Sequence, residues 1–462
     1  MRTRGTDIRI REARLYFLPV ETRVPLKFGP ETLTRVTCAR VCVKVENRLG
    51  QVAEGWGETP LSVQWVWPCE LSYEVREDAL KRFCKRIEEY LPKLPGYGHP
   101  MELGHLFLEN VLPRFLEEFN RVNLLEEPVP YLAGLVCFSL FDIAIHDAYG
   151  NVNQVPVYNT YNEKYMNRDL AYYLEPASKS SKVFCGKYPG DYFKKPAEKE
   201  LVAWHLVGGK DILRDDGTVK RPDDGYPFTL DEWIERDGLK CLKIKLTGTD
   251  PDWDYKRLTE VGEIGLSYDV DWFSADFNCQ VTECDYVNDI LDRLMAEHPR
   301  IYARILYIEQ PFPYDLEKHE IDVRSVSARK PLFMDESAHD WRLVRLGREL
   351  GWSGVALKTC KTQTGALLSL CWAKAHGMTL MVQDLTNPML AQIPHVLLAS
   401  HAGTIMGVET NSMQFYPEVS GYEAKVHPGL YARRNGKIYL DSIKGNGFGY
   451  RIDEINRPIA NL

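Results

Sequence analysis

Five short apolar runs end in charge: CLKIKL (241–246), WFSADFN (272–278), LYIEQP (306–311), PLFMDES (331–337) and GVALKTCK (354–361). An ionised group without a partner is costly in a low-dielectric interior, so buried strands have little reason to carry one. Carboxylates and lysines recurring at the ends of such runs indicate a site, and so an enzyme, rather than core. Side chains alternate along a strand. Lys243 and Lys245 therefore share one face, with Leu242, Ile244 and Leu246 on the other. Asp276 and Asn278 likewise share a face, opposite Phe277.

Working outward, short Val/Ile/Leu-rich runs alternate with helical stretches. Strands are expected near 169–174, 241–246, 272–277, 304–309, 331–335, 354–358, 379–383 and 405–409, with helices such as 255–267, 285–297, 341–350 and 363–376 between them. Eight such units predict an α/β protein with a closed (β/α)₈ TIM-type barrel over 151–420, open to modification in its first units. An insertion at about 175–228, long for a βα connection, would emerge on the C-terminal face. There it would either border the site or make an oligomer contact. Its lysines and aromatics (Lys187, Tyr188, Tyr192, Phe193, Lys194) suit a second anionic group on the substrate.

Upstream, segments 7–19 and 35–47 alternate as half-buried antiparallel strands do. Helical spacing follows over 73–92 and 104–120, then a strongly apolar helix at 131–149. Residues 1–150 thus read as an N-terminal α+β domain, and the turn-rich tail, 421–462, as a segment returning to it.

A chain of 462 residues exceeds one ordinary core, so two domains are the default. Hydrophobic (44%) and charged (26%) shares are those of a soluble globular protein. A net charge of −8 argues against nucleic acid or an anionic membrane as partner. The eleven scattered cysteines form no CxxC pair and suggest a reducing compartment. MRTRGTDIRIREARLYFLPV has no signal-like apolar run, and no transmembrane span is expected. The expectation is a cytoplasmic protein.

Asp276, Glu309 and Asp335 are each about one βα repeat apart, so adjacent strands would deliver three carboxylates side by side. Like charges gathered this way need a cation. All-oxygen ligands suit Mg²⁺ before Mn²⁺ or Ca²⁺. Lys243 and Lys245 come before these carboxylates and Lys358 after them. Near a divalent cation and one another, lysines should have depressed pKa values and act as bases. A cation at a substrate carboxylate would favour the enediolate left when its α-proton departs, and lysines on opposite sides would take and return that proton.

GWGE (55–58), FDIAIHDAYG (141–150), KxK, DFN, IEQP, MDES and ALKxxK occur in an order that resembles the enolase superfamily. The likeness is to the muconate-lactonizing-like branch of the mandelate racemase/muconate lactonizing enzyme group. The resemblance implies a capping domain over a (β/α)₈ barrel, with Mg²⁺ on Asp276, Glu309 and Asp335. It also implies Lys245 and Lys358 as acid/base pair and Lys243 as electrostatic helper, with specificity from segments 20–30 and 59–66. The mandelate-racemase-like branch uses a His/Asp pair on strands seven and six. Here strand six carries Lys358 and MVQDLTNPM (381–389) has no histidine, which excludes that assignment; Asp384 and Asn387 are unusual at this tip.

Asn278, Glu336, Lys361, Asp384 and Glu409 are further candidates for contact with substrate or support of the site. His339 suits a supporting place, His146 a packing role, and His205 a solvated one in the insertion. The expected activity is Mg²⁺-dependent proton abstraction α to the carboxylate of a small molecule by a racemase or epimerase. A lyase (dehydratase or cycloisomerase) would share every residue, and a non-catalytic binding protein would share the scaffold. A homo-oligomer is the general expectation.

Overall fold

The structure, a computed structural model, describes residues 3–215, 217 and 219–459. The first domain opens with three antiparallel strands, β1 (Ile8–Phe28), β2 (Glu31–Asn47) and β3 (Val52–Pro60). β1 and β2 form a long hairpin whose register runs from Ile8↔Asn47 to Phe28↔Glu31. Segment 20–30 is therefore the end of this hairpin, turning at Gly29, rather than a free loop.

Helices Tyr73–Tyr90, Pro100–Asn110 and Leu112–Asn123 follow, and then helix Tyr131–Val152. The last is long and apolar enough to cross a membrane, but nearly all of it is buried inside the protein. The GWGE glycines explain how it packs. A Cβ on Gly55 would collide with the backbone of Ala148, and one on Gly57 with the carbonyl of Leu140. Glycine lets β3 lie directly on the helix. From the helix's other side, Asp142 accepts bonds from the Thr364 N–H (2.7 Å) and hydroxyl (2.9 Å), docking it on barrel helix Gln363–Ala375. His146 is fully buried, its ring nitrogens 3.0 Å from the Thr364 hydroxyl and 2.8 Å from that of Tyr161.

The barrel strands are β4 (Glu200–Val207), β5 (Cys241–Lys245), β6 (Trp272–Asp276), β7 (Ile305–Glu309), β8 (Leu332–Met334), β9 (Gly354–Leu357), β10 (Thr379–Val382) and β11 (Val408–Glu409). They pair in parallel from β4 to β10, with β11 beside β4. The Ile405 N–H donates to the Leu380 carbonyl at 2.8 Å, joining the two ends of the run. The helix between β7 and β8 shrinks to Arg324–Ser327.

The first strand differs from expectation. Leu170–Tyr172 is a single 3₁₀ turn, and Leu170, Tyr173 and Leu174 are buried at helical spacing. β4 lies instead within the stretch read as an insertion, so 175–228 is not one. Residues up to 199 lead into β4, and only 208–229 follow it. His205 is then a strand residue, 1% exposed and 5.6 Å from the Trp233 ring, rather than a solvated one. Lys187 to Lys194 do not reach the strand tips either. The Lys194 N–H donates to the His401 carbonyl, and Lys374 to that of Tyr192. His401 and Lys374 end their helices at the opposite face of the barrel.

The tail adds strand Lys437–Tyr439 antiparallel to β4. It also reaches the first domain: Glu423 receives Arg40 Nη2 at 3.3 Å and Arg457 Nη2 at 2.6 Å, and Arg40 also pairs with Glu58 of GWGE. The Phe448 N–H donates to Asp147 at 2.8 Å.

Candidate active site

The barrel interior has a floor of Trp204, Cys241, Tyr307, Phe333 and Met381, packed together and buried. Strand alternation then dictates the layer above it. Two residues on from Cys241, Tyr307, Phe333 and Met381 come Lys243, Glu309, Asp335 and Gln383. By the same step Ser274 leads to Asp276 and Ala356 to Lys358. The charged layer is thus the next rung of a packed barrel, which is why apolar runs end in ionised groups.

The ions are closely matched. Lys243 Nζ lies 2.6 Å from Glu309, 3.0 Å from Glu409 and 3.2 Å from Asp276. Lys245 also pairs with Asp276. On the far side, Asp335 receives Lys358 at 3.2 Å and Lys361 at 3.4 Å. Gln383 donates to the second Glu309 oxygen at 2.6 Å. All of these side chains are buried.

Burial would raise Asp276, but Lys245 and Lys243 hold it well below the ordinary carboxylate range. Asp335 is lowered likewise, Lys358 and Lys361 outweighing burial. Glu309 goes the other way: burial and then Asp276 push it well up. Burial also raises Glu336, with Asp335 and Asp276 adding to it, to about 7. The expected depression of the lysines is not found for Lys358. Burial lowers it, but Asp335 chief among its carboxylate neighbours overcomes this and raises it. Lys243 is raised for the same reason, by Glu309 and Glu409.

The remaining candidates take distinct places. The Asp384 carbonyl accepts from Lys358 at 3.0 Å, while its carboxylate accepts the Asn411 N–H at 2.9 Å and the Asn387 N–H at 3.2 Å. It also lines the cavity beside Lys358. Glu409 joins Lys243 to Asn411. Asn278 turns away from the ion pairs: its N–H meets Asp276 at 2.9 Å, but its buried amide has no partner. His339 is half-buried, its ring about 6 Å from those of Tyr131 and Tyr314; desolvation lowers it to about 3.

Sequence reasoning missed Gln383 and the weight carried by Trp65. Gln383 was detectable by counting two from Met381. Trp65 lies in the 59–66 segment, and nothing local marks its partners. Its indole donates to Glu336 at 2.8 Å, and Lys358 and Lys361 lie 5.4 and 5.7 Å from its ring.

Above the ions is a cavity of about 50 Å³ bounded by Lys243, Lys245, Lys358, Glu409, Phe28 and Trp65. Phe28 and Trp65 also bound a second chamber, of about 190 Å³, reaching outward past Asn278 and Glu336.

Among the described residues no three His, Cys, Asp or Glu side chains form a ready metal cluster; lysine ammoniums bridge the carboxylates instead. The donor set nevertheless suits a hard divalent cation. It is all oxygen, it comes from three consecutive strands, and Asp276 and Glu309 already share one cation, the Lys243 ammonium.

Residues 229–456 match the family described as Enolase C-terminal domain-like. Solved structures resemble the chain over nearly its whole length. A mandelate racemase/muconate lactonizing protein from Herpetosiphon aurantiacus has 17% identity and a TM-score of 0.60, covering 97% of this chain and 99% of its own. N-succinyl Arg/Lys racemase from Bacillus cereus has 18% identity and a TM-score of 0.59, with 97% of each chain covered. A dipeptide epimerase from Enterococcus faecalis, complexed with Mg and L-Leu-L-Tyr, has 15% identity and a TM-score of 0.59, covering 96% of this chain and 99% of its own. At these identities the likeness is one of fold. No curated protein sequence matches. The region that carries KxK, DFN, IEQP, MDES and ALKxxK at its strand tips thus matches the Enolase C-terminal domain-like family, and the whole chain, a barrel capped by an α+β domain, has the fold of mandelate racemase/muconate lactonizing enzyme structures.

Proposed function

We propose that this enzyme removes the proton α to the carboxylate of a small molecule and returns it on the opposite face, as a racemase or epimerase that depends on Mg²⁺ or Mn²⁺. The observation that carries this reading is the placement of Lys245 and Lys358. They stand at the ends of β5 and β9, four strands apart in the ring, line one cavity and pair with different carboxylates, Lys245 with Asp276 and Lys358 with Asp335. Asp276, Glu309 and Asp335 would hold the cation, which supplies positive charge where the substrate carboxylate gains electron density.

The protein's own residues do the rest. Lys243, flanked by Glu309, Glu409 and Asp276, keeps positive charge at the barrel centre and fixes those carboxylates. Lys245 and Lys358 hold or take a proton on either side of the α-carbon. A base must first be neutral, and burial alone favours that state for Lys358; its carboxylate neighbours are what keep it charged. Neutralising those neighbours therefore readies it. Phe28 and Trp65 cover the cavity and limit water around the carbanionic carbon.

The test is α-proton exchange in D₂O with Mg²⁺ over a panel of chiral carboxylates. The wild type should exchange both enantiomers of its substrate with no change in skeleton. Lys245→Ala and Lys358→Ala should each lose about 10²–10⁴-fold of exchange, each toward the opposite enantiomer. Loss of mass other than the isotope shift would favour a lyase. Exchange untouched by both substitutions would sink the assignment of the lysines, leaving a binding protein or another base.

A further inference from the structure

The outer chamber is not accounted for by proton transfer. It shares Phe28 and Trp65 with the ion-lined cavity, so the two lie side by side and the chamber is within reach of a ligand whose carboxylate lies over the ions. Its walls include Pro30, Val66, Pro68, Leu132 and Tyr314. The charged residues lining it, Glu31 and Glu336, are both acids, and no lysine or arginine reaches it among the described residues. A second carboxylate there would leave water to face two like charges without a counter-ion. A chamber of about 190 Å³ exceeds the roughly 150 Å³ in which an apolar cavity holds a benzene ring.

Buried polar atoms without partners also line it, Glu336 Oε2 among them. Gln64 Oε1 and both side-chain atoms of Asn278 are buried without partners, and both residues line the chamber while being more than nine-tenths buried. Buried amides are ordinarily bonded, so these point to a hydrogen-bonding group on the ligand.

Resting on the proposed proton-transfer chemistry, we infer that the substrate is a monocarboxylate with an uncharged, apolar tail of about aromatic size seated in this chamber. A hydroxyl or amide near the reacting carbon meets Asn278 and Gln64. This reverses the expectation of a second anionic group, since the lysines that suggested one lie at the other face of the barrel.

The experiment ranks three probes of matched backbone by binding to the Mg²⁺-loaded enzyme, read as ligand-induced thermal shift and titration calorimetry. They are 2-hydroxy-4-phenylbutanoate, 2-hydroxypentanedioate and 5-amino-2-hydroxypentanoate. The phenyl probe should bind at least about tenfold more tightly than either charged one. Tyr314→Arg, which adds a cation to the chamber wall, should raise the relative affinity of the dicarboxylate by about tenfold. A dicarboxylate or an ammonium tail bound as well as the phenyl tail by the wild type overturns the inference, as does binding of none of the three. Exchange in D₂O is read separately. Phenyl preference without α-exchange leaves this chamber as inferred and overturns the proposed chemistry instead.

Discussion

Trp65, from the first domain, donates its indole N–H to Glu336 at the tip of β8, across 271 residues of sequence. The same ring lies beside Lys358 and Lys361, so one side chain of the capping domain touches three charged groups of the barrel. Trp65→Phe keeps most of the ring and removes the donor, leaving both Glu336 oxygens without one. We expect a loss of about 1–3 kcal/mol in urea denaturation. An unchanged midpoint would show that the bond is immaterial.

Mg²⁺ or Mn²⁺ binding should be visible without substrate. At about a hundredfold over Kd, a cation bound by the folded state adds about 2.7 kcal/mol. Wild type should therefore gain thermal stability with added Mg²⁺, and Asp276→Asn or Glu309→Gln should not. Equal shifts in all three proteins would place the cation elsewhere.

Arg40, Glu58 and Glu423 form a buried ionic triad joining β2, β3 and the tail. Arg40→Met leaves two buried carboxylates with one cation fewer, and breaking such a group costs about 3–5 kcal/mol. Chemical denaturation should show the loss, and the double variant Arg40→Met/Glu58→Gln should recover part of it. A single variant as stable as the wild type would contradict the pairing.

Asp147 accepts the Trp56 and Phe448 N–H groups, and burial raises it to about 7. An unfolded aspartate titrates near ~3.9, so between these values the native state binds the extra proton. Its contribution to stability is present below the unfolded pKa and declines as pH rises toward 7. The stability of wild type minus Asp147→Asn should fall across pH 4 to 8, by at most about 4 kcal/mol. A difference flat in pH would contradict the shift.

The second half of the barrel was legible because its strands are short, apolar and closed by charge; DFN, IEQP, MDES and ALKTCK needed only alternation to be placed on one layer. ELVAWHLV (200–207) shows no alternation of polar and apolar residues because it is buried on both faces from Ala203 onward. LAYYL (170–174) has the composition of a strand but begins as a 3₁₀ turn. The charge state of Lys358 was misjudged for a different reason. A pKa depends on which neighbours come nearest, and Asp335 approaches more closely than the other lysines could repel. Trp65 was unreadable in the same sense, since its partners arrive only through the docking of two domains.

The bond between Arg40 and Glu423 spans 383 residues. During synthesis at about 5–20 residues per second, the first domain emerges and folds long before its anchoring carboxylate exists, a delay on the order of 20–80 s. For that interval Arg40 has Glu58 alone, and the hairpin bearing Phe28 has no finished barrel beneath it. Glu409, which pairs with Lys243, follows Arg40 almost as late, so a product truncated before it carries the hairpin without the complete charged layer.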